Sequence, residues 1–109
     1  MNKKYLLVIE IKQDNLDEYI DMHKTANKQI LRDIKSCGFL SESVWIYKNM
    51  SIVYFETAQD YRKCSERLRS KQLCKDWDAV VIPFFEKEPR FAEKVFDLNQ
   101  QLNGFLSAD

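Results

Sequence analysis

Several chemically informative residue types are scarce in this 109-residue sequence, which has two glycines, two prolines and one histidine. With only Gly38 and Gly104 available, there is no glycine-rich loop to cradle a phosphate, and this excludes P-loop and dinucleotide-binding chemistry. A single histidine, without cysteine or carboxylate at ligand spacing, argues against a catalytic metal. The sequence therefore predicts a protein without a metal site.

Net charge is also absent, because 17 basic side chains balance 17 acidic ones. Without an excess of either sign there is no strong field to attract nucleic acid or an anionic membrane, and a small neutral partner is the better expectation. Even the basic run DYRKCSERLRSKQ has acidic neighbours, which indicate a solvated helix face.

Long hydrophobic runs are missing as well. The apolar run in MNKKYLLVIEIK meets Glu10 after five residues. Such a run is too short for a signal peptide or a membrane span, so we expect a cytoplasmic location. Cys37, Cys64 and Cys74 are odd in number and show no Cys-x-x-Cys spacing, which argues against a disulfide scaffold and a zinc site. We expect all three to be reduced residues of the packed interior.

The hydrophobic pattern of the first half predicts a strand, a helix and a hairpin. KYLLVIEIK, Lys4 to Lys12, has the Leu, Val and Ile content of a strand. The sequence QDN then supplies an N-cap for a helix that runs to about Ser36, with Gly38 as its C-terminal stop. FLSESVWIY and SIVYFET form two strands joined at residues 48–50, where an asparagine can adopt a positive φ.

The second half predicts a broken helix and a last strand. A polar helical pattern begins at Ala58, breaks at Ser70 and ends at Pro83. The apolar group AEKVFDL, Ala92 to Leu98, is expected to add a fourth strand, and the tail, residues 99–109, to be loose or dependent on a partner. The order βαββαβ predicts one α+β domain over residues 1–109, with a ferredoxin-like antiparallel sheet and helices on one face.

The predicted first strand is apolar on both faces. Residues 5, 7, 9 and 11 are Tyr, Leu, Ile and Ile, and the opposite face carries Leu6 and Val8. Because two helices cover only one face of such a sheet, the other face needs a second protomer, the chain's own tail or a ligand cavity. A homodimer with facing sheets is the economical solution, and a tail folded back over the sheet is the alternative.

The only histidine, His23, follows Tyr19 by four residues. At about 100° per residue, His23, Tyr19 and Asn27 fall on the apolar face of the predicted helix, so all three polar side chains are expected to point inward. An inward histidine can be a core residue that is hydrogen-bonded to a carbonyl. The alternative is a polar cavity, in which the imidazole exchanges protons and the phenol orients a substrate.

Trp77 can likewise be a core residue or part of a binding site. An indole in a broken helix usually belongs to the core, but with Asp78 beside it a sugar-binding floor can form, with an aromatic plane for C–H groups and a carboxylate for hydroxyls. Trp45 and Tyr47 share one side of the hairpin. We expect them either to line the same cavity or to fill the core, with the core favoured.

Four short motifs together resemble the L-rhamnose mutarotase-like family of sugar mutarotases. They are the Tyr19-x3-His23 pair, the sixteen positions from His23 to Gly38 inclusive, Cys74-x-x-Trp77, and VFDL from Val95 to Leu98. The match runs from about Tyr5 to Leu98 and needs no gap between Tyr19 and Gly38.

The resemblance implies a dimeric α/β barrel that interconverts the α and β anomers of a free 6-deoxy sugar, with no cofactor. It implies that His23 is the proton donor and that Tyr19 and Trp77 bind the sugar, and Asp78 joins them as a candidate substrate contact. Mutarotation delivers a proton to the ring oxygen and removes one from the anomeric hydroxyl. One positioned acid/base pair, worth about 10²–10⁴-fold, is therefore enough.

Three positions depart from the family pattern. Lys24 to Lys28 replaces Asn-Pro-x-Trp-Pro, Asp78 replaces a second tryptophan, and Glu42 stands where the family has a sugar-contacting tyrosine. A tryptophan followed by an acidic residue resembles the fucose-associated branch, so L-fucose is the alternative to L-rhamnose. Two other functions stay open: a cofactor-free monooxygenase of the ferredoxin-like fold, and a sugar-binding protein without catalysis.

Overall fold

The computed structural model describes residues 3–103. Two short 3₁₀ turns lie in this range, Gln13–Asn15 and Ile82–Phe84. The strands and α-helices described there are β1 (Lys3–Glu10), α1 (Leu16–Lys24), α2 (Lys28–Ser36), β2 (Phe39–Tyr47), β3 (Met50–Thr57), α3 (Tyr61–Arg69), α4 (Gln72–Val81), β4 (Arg90–Phe91) and α5 (Leu98–Leu102). Among these helices, none combines the length and the hydrophobicity of a membrane span.

The four strands form one antiparallel sheet in the order β2-β3-β1-β4. β1 pairs with β3 along its whole length, and β2 and β3 form the predicted hairpin. The positive φ in the hairpin turn belongs to Lys48, at 55°, rather than to the neighbouring asparagine. The prediction of a ferredoxin-like α+β sheet is confirmed.

The core lies between the sheet and the helices on one of its faces. Along β3 the side chains alternate strictly, with Ser51, Val53, Phe55 and Thr57 buried and the residues between them half-buried. The three cysteines are buried free thiols, as predicted. An aromatic cluster next to β4 completes this core, with ring centroids 5.2 to 6.4 Å apart between Tyr5, Phe55, Tyr61 and Phe91.

The sequence predicts one continuous helix to about Ser36, but the structure divides this region into two helices. α1 ends at Lys24, and Asn27 begins α2 by accepting a hydrogen bond from the Gln29 backbone N–H at 2.7 Å. Asn27 is exposed there, so the prediction that it shares the inward row with Tyr19 and His23 is wrong. An asparagine side chain competes for the free N–H groups at a helix start, and apolar periodicity does not register this effect.

The fourth strand lies earlier than predicted. β4 is Arg90–Phe91, paired with Val8 and Leu7, and residues 92–97 have no regular structure. The prediction of a strand over Ala92 to Leu98 is wrong: the Ala92 backbone N–H still donates to the Leu6 carbonyl of β1 at 2.8 Å, but the chain then leaves the sheet, and Val95 and Phe96 are 83% and 63% exposed.

The start of the tail is ordered rather than loose. The Asp97 carboxylate accepts a hydrogen bond from the Gln100 backbone N–H, which caps α5, and it forms an ion pair with the Lys4 ammonium at 3.0 Å. The hydrogen bond to Lys4 lowers the pKa of Asp97. The rest of the predicted tail, residues 104–109, lies outside the described residues.

Candidate active site

A pocket lies between the helices and the covered face of the sheet. It consists of two adjoining cavities of about 630 and 740 Å³, a size within the usual range for small-molecule sites. The sheet contributes an apolar floor to both cavities through Leu7, Val44 and Val53. The side chains that carry polar groups into both cavities are His23, Glu42, Arg69, Trp77 and Asp78.

His23 is half-buried near the end of α1 and is held by its own helix. Its Nδ1 lies 2.7 Å from the backbone carbonyl oxygen of Tyr19. Because a carbonyl only accepts, Nδ1 carries the hydrogen, and in the neutral ring the lone pair is on Nε2. Burial lowers the pKa of His23 below its ordinary value, and the bond to the carbonyl opposes this shift only in part. The imidazole is therefore neutral at pH 7, with Nε2 ready to accept a proton.

Two aromatic rings fix the orientation of this imidazole. The Trp77 ring meets it edge to face, with centroids 5.0 Å apart and an interplanar angle of 86°. The Tyr19 ring lies on another side, with centroids 4.4 Å apart. Trp77 itself is half-buried and borders both cavities, so part of its surface remains available to a ligand.

Tyr19 is 3% exposed and borders only the larger of the two cavities. Its hydroxyl lies 2.7 Å from the hydroxyl oxygen of Ser51, which is fully buried. Burial raises the pKa of the Tyr19 phenol, and the bond to Ser51 opposes this. The structure thus places Tyr19 behind His23, with its polar atom already bound to the sheet.

Asp78 lies in the pocket as one half of an ion pair. Its carboxylate contacts the Arg69 guanidinium at 2.5 Å and lies 3.8 Å from Sγ of Cys74. Burial, followed by the Asp78 charge, raises the pKa of Cys74 to about 11, so this residue is a thiol rather than a thiolate. The pair presents both a carboxylate and a cation to a ligand with hydroxyl groups.

Sequence patterns did not identify Arg69 as a pocket residue, and they marked Glu42 only as a departure from the family pattern. Arg69 ends α3 while Asp78 lies on α4, and no local motif indicates that two helices bring them together. Glu42 follows a β-bulge between Phe39 and Ser41. The bulge adds a residue to the strand, so that Phe39 and Glu42, three residues apart, both border the pocket.

This fold and pocket define a small ferredoxin-like protein with a pocket, lined by polar and aromatic side chains, on the helix-covered face of its sheet. The family model described as L-rhamnose mutarotase matches residues 4–102. The chain belongs to this family.

Solved structures with the same fold include an L-rhamnose mutarotase from Formosa agariphila, with 14% identity, a TM-score of 0.68, and coverage of 87% of this chain and 97% of that one. A provisionally assigned antibiotic biosynthesis monooxygenase from Nitrosomonas europaea has 11% identity, a TM-score of 0.66, and coverage of 84% and 86%. A dimeric ferredoxin-like protein from an uncultured marine organism has 13% identity, a TM-score of 0.57, and coverage of 86% and 91%. At these identities the likeness establishes the fold. Among curated proteins, none matches the sequence significantly.

Proposed function

We propose that the protein is a sugar mutarotase that interconverts the α and β anomers of a 6-deoxy-hexose, L-rhamnose or L-fucose. Family membership supports the reaction class. The observation that carries the proposal is the state of His23: a neutral imidazole with its Nδ1 hydrogen held by a carbonyl, on the wall of a pocket large enough for a monosaccharide. The reaction needs such a group and no cofactor.

In this mechanism Nε2 of His23 takes the proton of the anomeric hydroxyl as the ring C–O bond breaks, and the ring oxygen takes a proton from a second donor. The open-chain aldehyde turns about the bond next to its carbonyl carbon and recloses on the other face, and His23 returns the proton. The imidazole therefore acts first as a base and then as the proton donor that the family resemblance implies. The lowered pKa of His23 suits this order, because the ring starts unprotonated at pH 7.

The remaining pocket residues would hold the sugar. The Trp77 indole offers a flat surface to the C–H face of the ring, and the Asp78 carboxylate with its Arg69 partner offers hydrogen bonds to the hydroxyls. Tyr19 would contact sugar from the larger cavity by sharing the hydrogen bond that its hydroxyl makes with Ser51.

The test is anomer exchange measured by NMR saturation transfer between the two anomeric protons of L-rhamnose, and separately of L-fucose. Native protein should raise the exchange rate of at least one of these sugars above the rate with the same amount of heat-denatured protein. Exchange at the background rate for every 6-deoxy-hexose, together with sugar binding, would instead indicate a binding protein. Oxygen uptake with a quinol would indicate the monooxygenase alternative.

We also propose that the protein is a homodimer that pairs through the uncovered face of the sheet. Trp45 and Tyr47 are 65% and 64% exposed and border neither cavity, so the prediction that they fill the core or line the cavity is wrong. Trp45 lies opposite Ile52 in the sheet, and Ile52 lies opposite Val8, which makes a continuous apolar row on this face. Sedimentation should show a dimer at micromolar concentration, and Trp45→Ser should weaken it; a wild-type monomer would contradict the proposal.

A further inference from the structure

The proposed reaction leaves one role without a residue. Opening the sugar ring requires a base at the anomeric hydroxyl and an acid at the ring oxygen, two different atoms bonded to the same carbon. Nε2 of a single imidazole cannot take one proton and supply the other at the same moment. A second proton-exchanging side chain in the pocket would complete the pair.

Glu42 has the position for this role. It enters the pocket from the sheet, while His23 enters from α1, and both side chains border both cavities together with Trp77. A sugar that lies against Trp77 would therefore have the imidazole on its helix side and the carboxyl on its sheet side. The inward direction of Glu42 follows from the bulge between Phe39 and Ser41.

The other acid in both cavities, Asp78, is less suited to proton exchange. Its carboxylate is already engaged in an ion pair with the Arg69 guanidinium and in a contact with Sγ of Cys74. In contrast, no side chain within residues 3–103 forms a hydrogen bond or an ion pair with the Glu42 carboxyl group. Its carboxyl group is accessible from the pocket and is free to meet a ligand.

We propose that Glu42 is the second catalytic residue, an inference that rests on the proposed mutarotase function. Its carboxyl group exchanges a proton with the ring oxygen while His23 exchanges one with the anomeric hydroxyl. In ring opening, Nε2 takes the hydroxyl proton, a C=O bond forms at the anomeric carbon, its bond to the ring oxygen breaks, and the Glu42 carboxyl donates its proton to that oxygen. The products are the open-chain hydroxyaldehyde, an imidazolium and a carboxylate. Reclosure reverses each transfer on the other face of the carbonyl, so protons and electron pairs balance.

The electrostatic environment supports this division of roles. Desolvation in the pocket raises the pKa of Glu42 and lowers the pKa of His23, which moves the two pKa values toward each other. Other groups facing the same space are Lys24, Lys35, Tyr61 and Cys74 in one cavity, Tyr19 and the exposed segment 86–88 in the other, and Arg69 and Asp78 in both. The carboxylate of Asp78 is paired, and the Cys74 thiol titrates near 11, outside the working range.

The test compares wild type with Glu42→Gln, which keeps the shape of the side chain but cannot exchange protons. Exchange of the sugar that wild type turns over should fall by about 10²-fold or more, while sugar binding, seen by saturation-transfer difference NMR, is retained. The wild-type rate should show a bell-shaped pH dependence after subtraction of background, because the reactive state holds one proton on the pair. Glu42→Gln should lose the alkaline decline.

Glu18→Gln is the matched control, since Glu18 is an exposed residue in the first turn of α1. It should leave the rate and the pH profile unchanged. If Glu42→Gln fails to fold, the second measurement is anomer exchange by Glu42→Ala with added formate. The rate with the same formate and no protein is subtracted. Recovered exchange supports the catalytic role of the Glu42 carboxyl group. Wild-type rates in a folded Glu42→Gln, or no rescue of a folded Glu42→Ala, would overturn it. Absence of exchange with wild type would instead refute the proposed function itself.

Discussion

The hydrogen bond between Tyr19 and Ser51 predicts what Tyr19→Phe will do. The substitution removes one oxygen atom from a side chain that is 3% exposed, and it leaves the hydroxyl of a fully buried serine without its partner. The cost of an unsatisfied buried polar group is about 1–3 kcal/mol. For a domain of this size, each kcal/mol corresponds to about 4–8 °C in melting temperature. The tyrosine should therefore contribute measurably to stability, whatever it does for a ligand.

A double-mutant cycle tests this prediction. Urea unfolding is measured for wild type, Tyr19→Phe, Ser51→Ala and the double variant, all at one protein concentration because a dimer would make stability depend on it. Each single variant should lose about 1–3 kcal/mol, and the double variant should lose clearly less than their sum, because removing both partners leaves no orphaned group. Since the Tyr19 carbonyl that holds His23 is unchanged, Tyr19→Phe should keep most of the exchange rate at saturating sugar, while its sugar affinity weakens because the hydroxyl is lost.

The opposite pattern would refute the reasoning. If Tyr19→Phe unfolds at the same urea concentration as wild type while its sugar affinity falls sharply, the hydroxyl serves the ligand and not the fold. Additive losses in the cycle would show that the two hydroxyls do not depend on each other.

Two further predictions concern Gly38, which follows α2, and His23, near the end of α1. Gly38→Ala should destabilise the protein by about 1–3 kcal/mol in urea unfolding, because Gly38 has φ of +106° and an added Cβ would lie 2.8 Å from Sγ of Cys64; unchanged stability would show that the turn can relax. The lowered pKa of His23 means that the unfolded chain binds this proton more readily than the folded chain, so the imidazole's contribution to stability is complete above about pH 6.5 and is lost as pH falls below it. The urea concentration at the unfolding midpoint should therefore fall more between pH 8 and pH 5 for wild type than for His23→Asn. The same pH dependence for both proteins would contradict the lowered pKa of His23.

The strands and the hairpin could be predicted because their hydrophobic patterns are local. β3 buries alternating side chains over eight residues, and β1 is a compact run rich in Leu, Val and Ile, and both are patterns that a local window of sequence displays. The division of α1 from α2 could not be found in the same way, since the apolar positions keep nearly the same phase on both sides of Asn27. α1 closes at Thr25, whose hydroxyl donates to the Asp21 carbonyl, and α2 starts with the hydrogen bond to the Asn27 side chain; both depend on geometry at one residue.

The residues of the candidate site also differ in whether local sequence patterns identify them. His23 and Trp77 were found from helical spacing and short motifs, and the structure brings their rings together. Whether these residues act on a sugar stays a prediction. Glu42 and Arg69 reach the pocket through a β-bulge and a helix packing, neither of which has a sequence signature at this length. The segment around Val95 and Phe96 has the composition of a strand, but both side chains are exposed, and composition does not show where the chain leaves the sheet.

The most direct test of the proposed activity is anomer exchange of L-rhamnose and L-fucose with wild type and with His23→Ala, measured by saturation transfer at pH 7 on protein shown by circular dichroism to be folded. Wild type should accelerate exchange of at least one sugar. His23→Ala should lower that acceleration by about 10²-fold or more while the sugar still binds. Equal exchange rates for the two proteins would contradict a catalytic role for this imidazole.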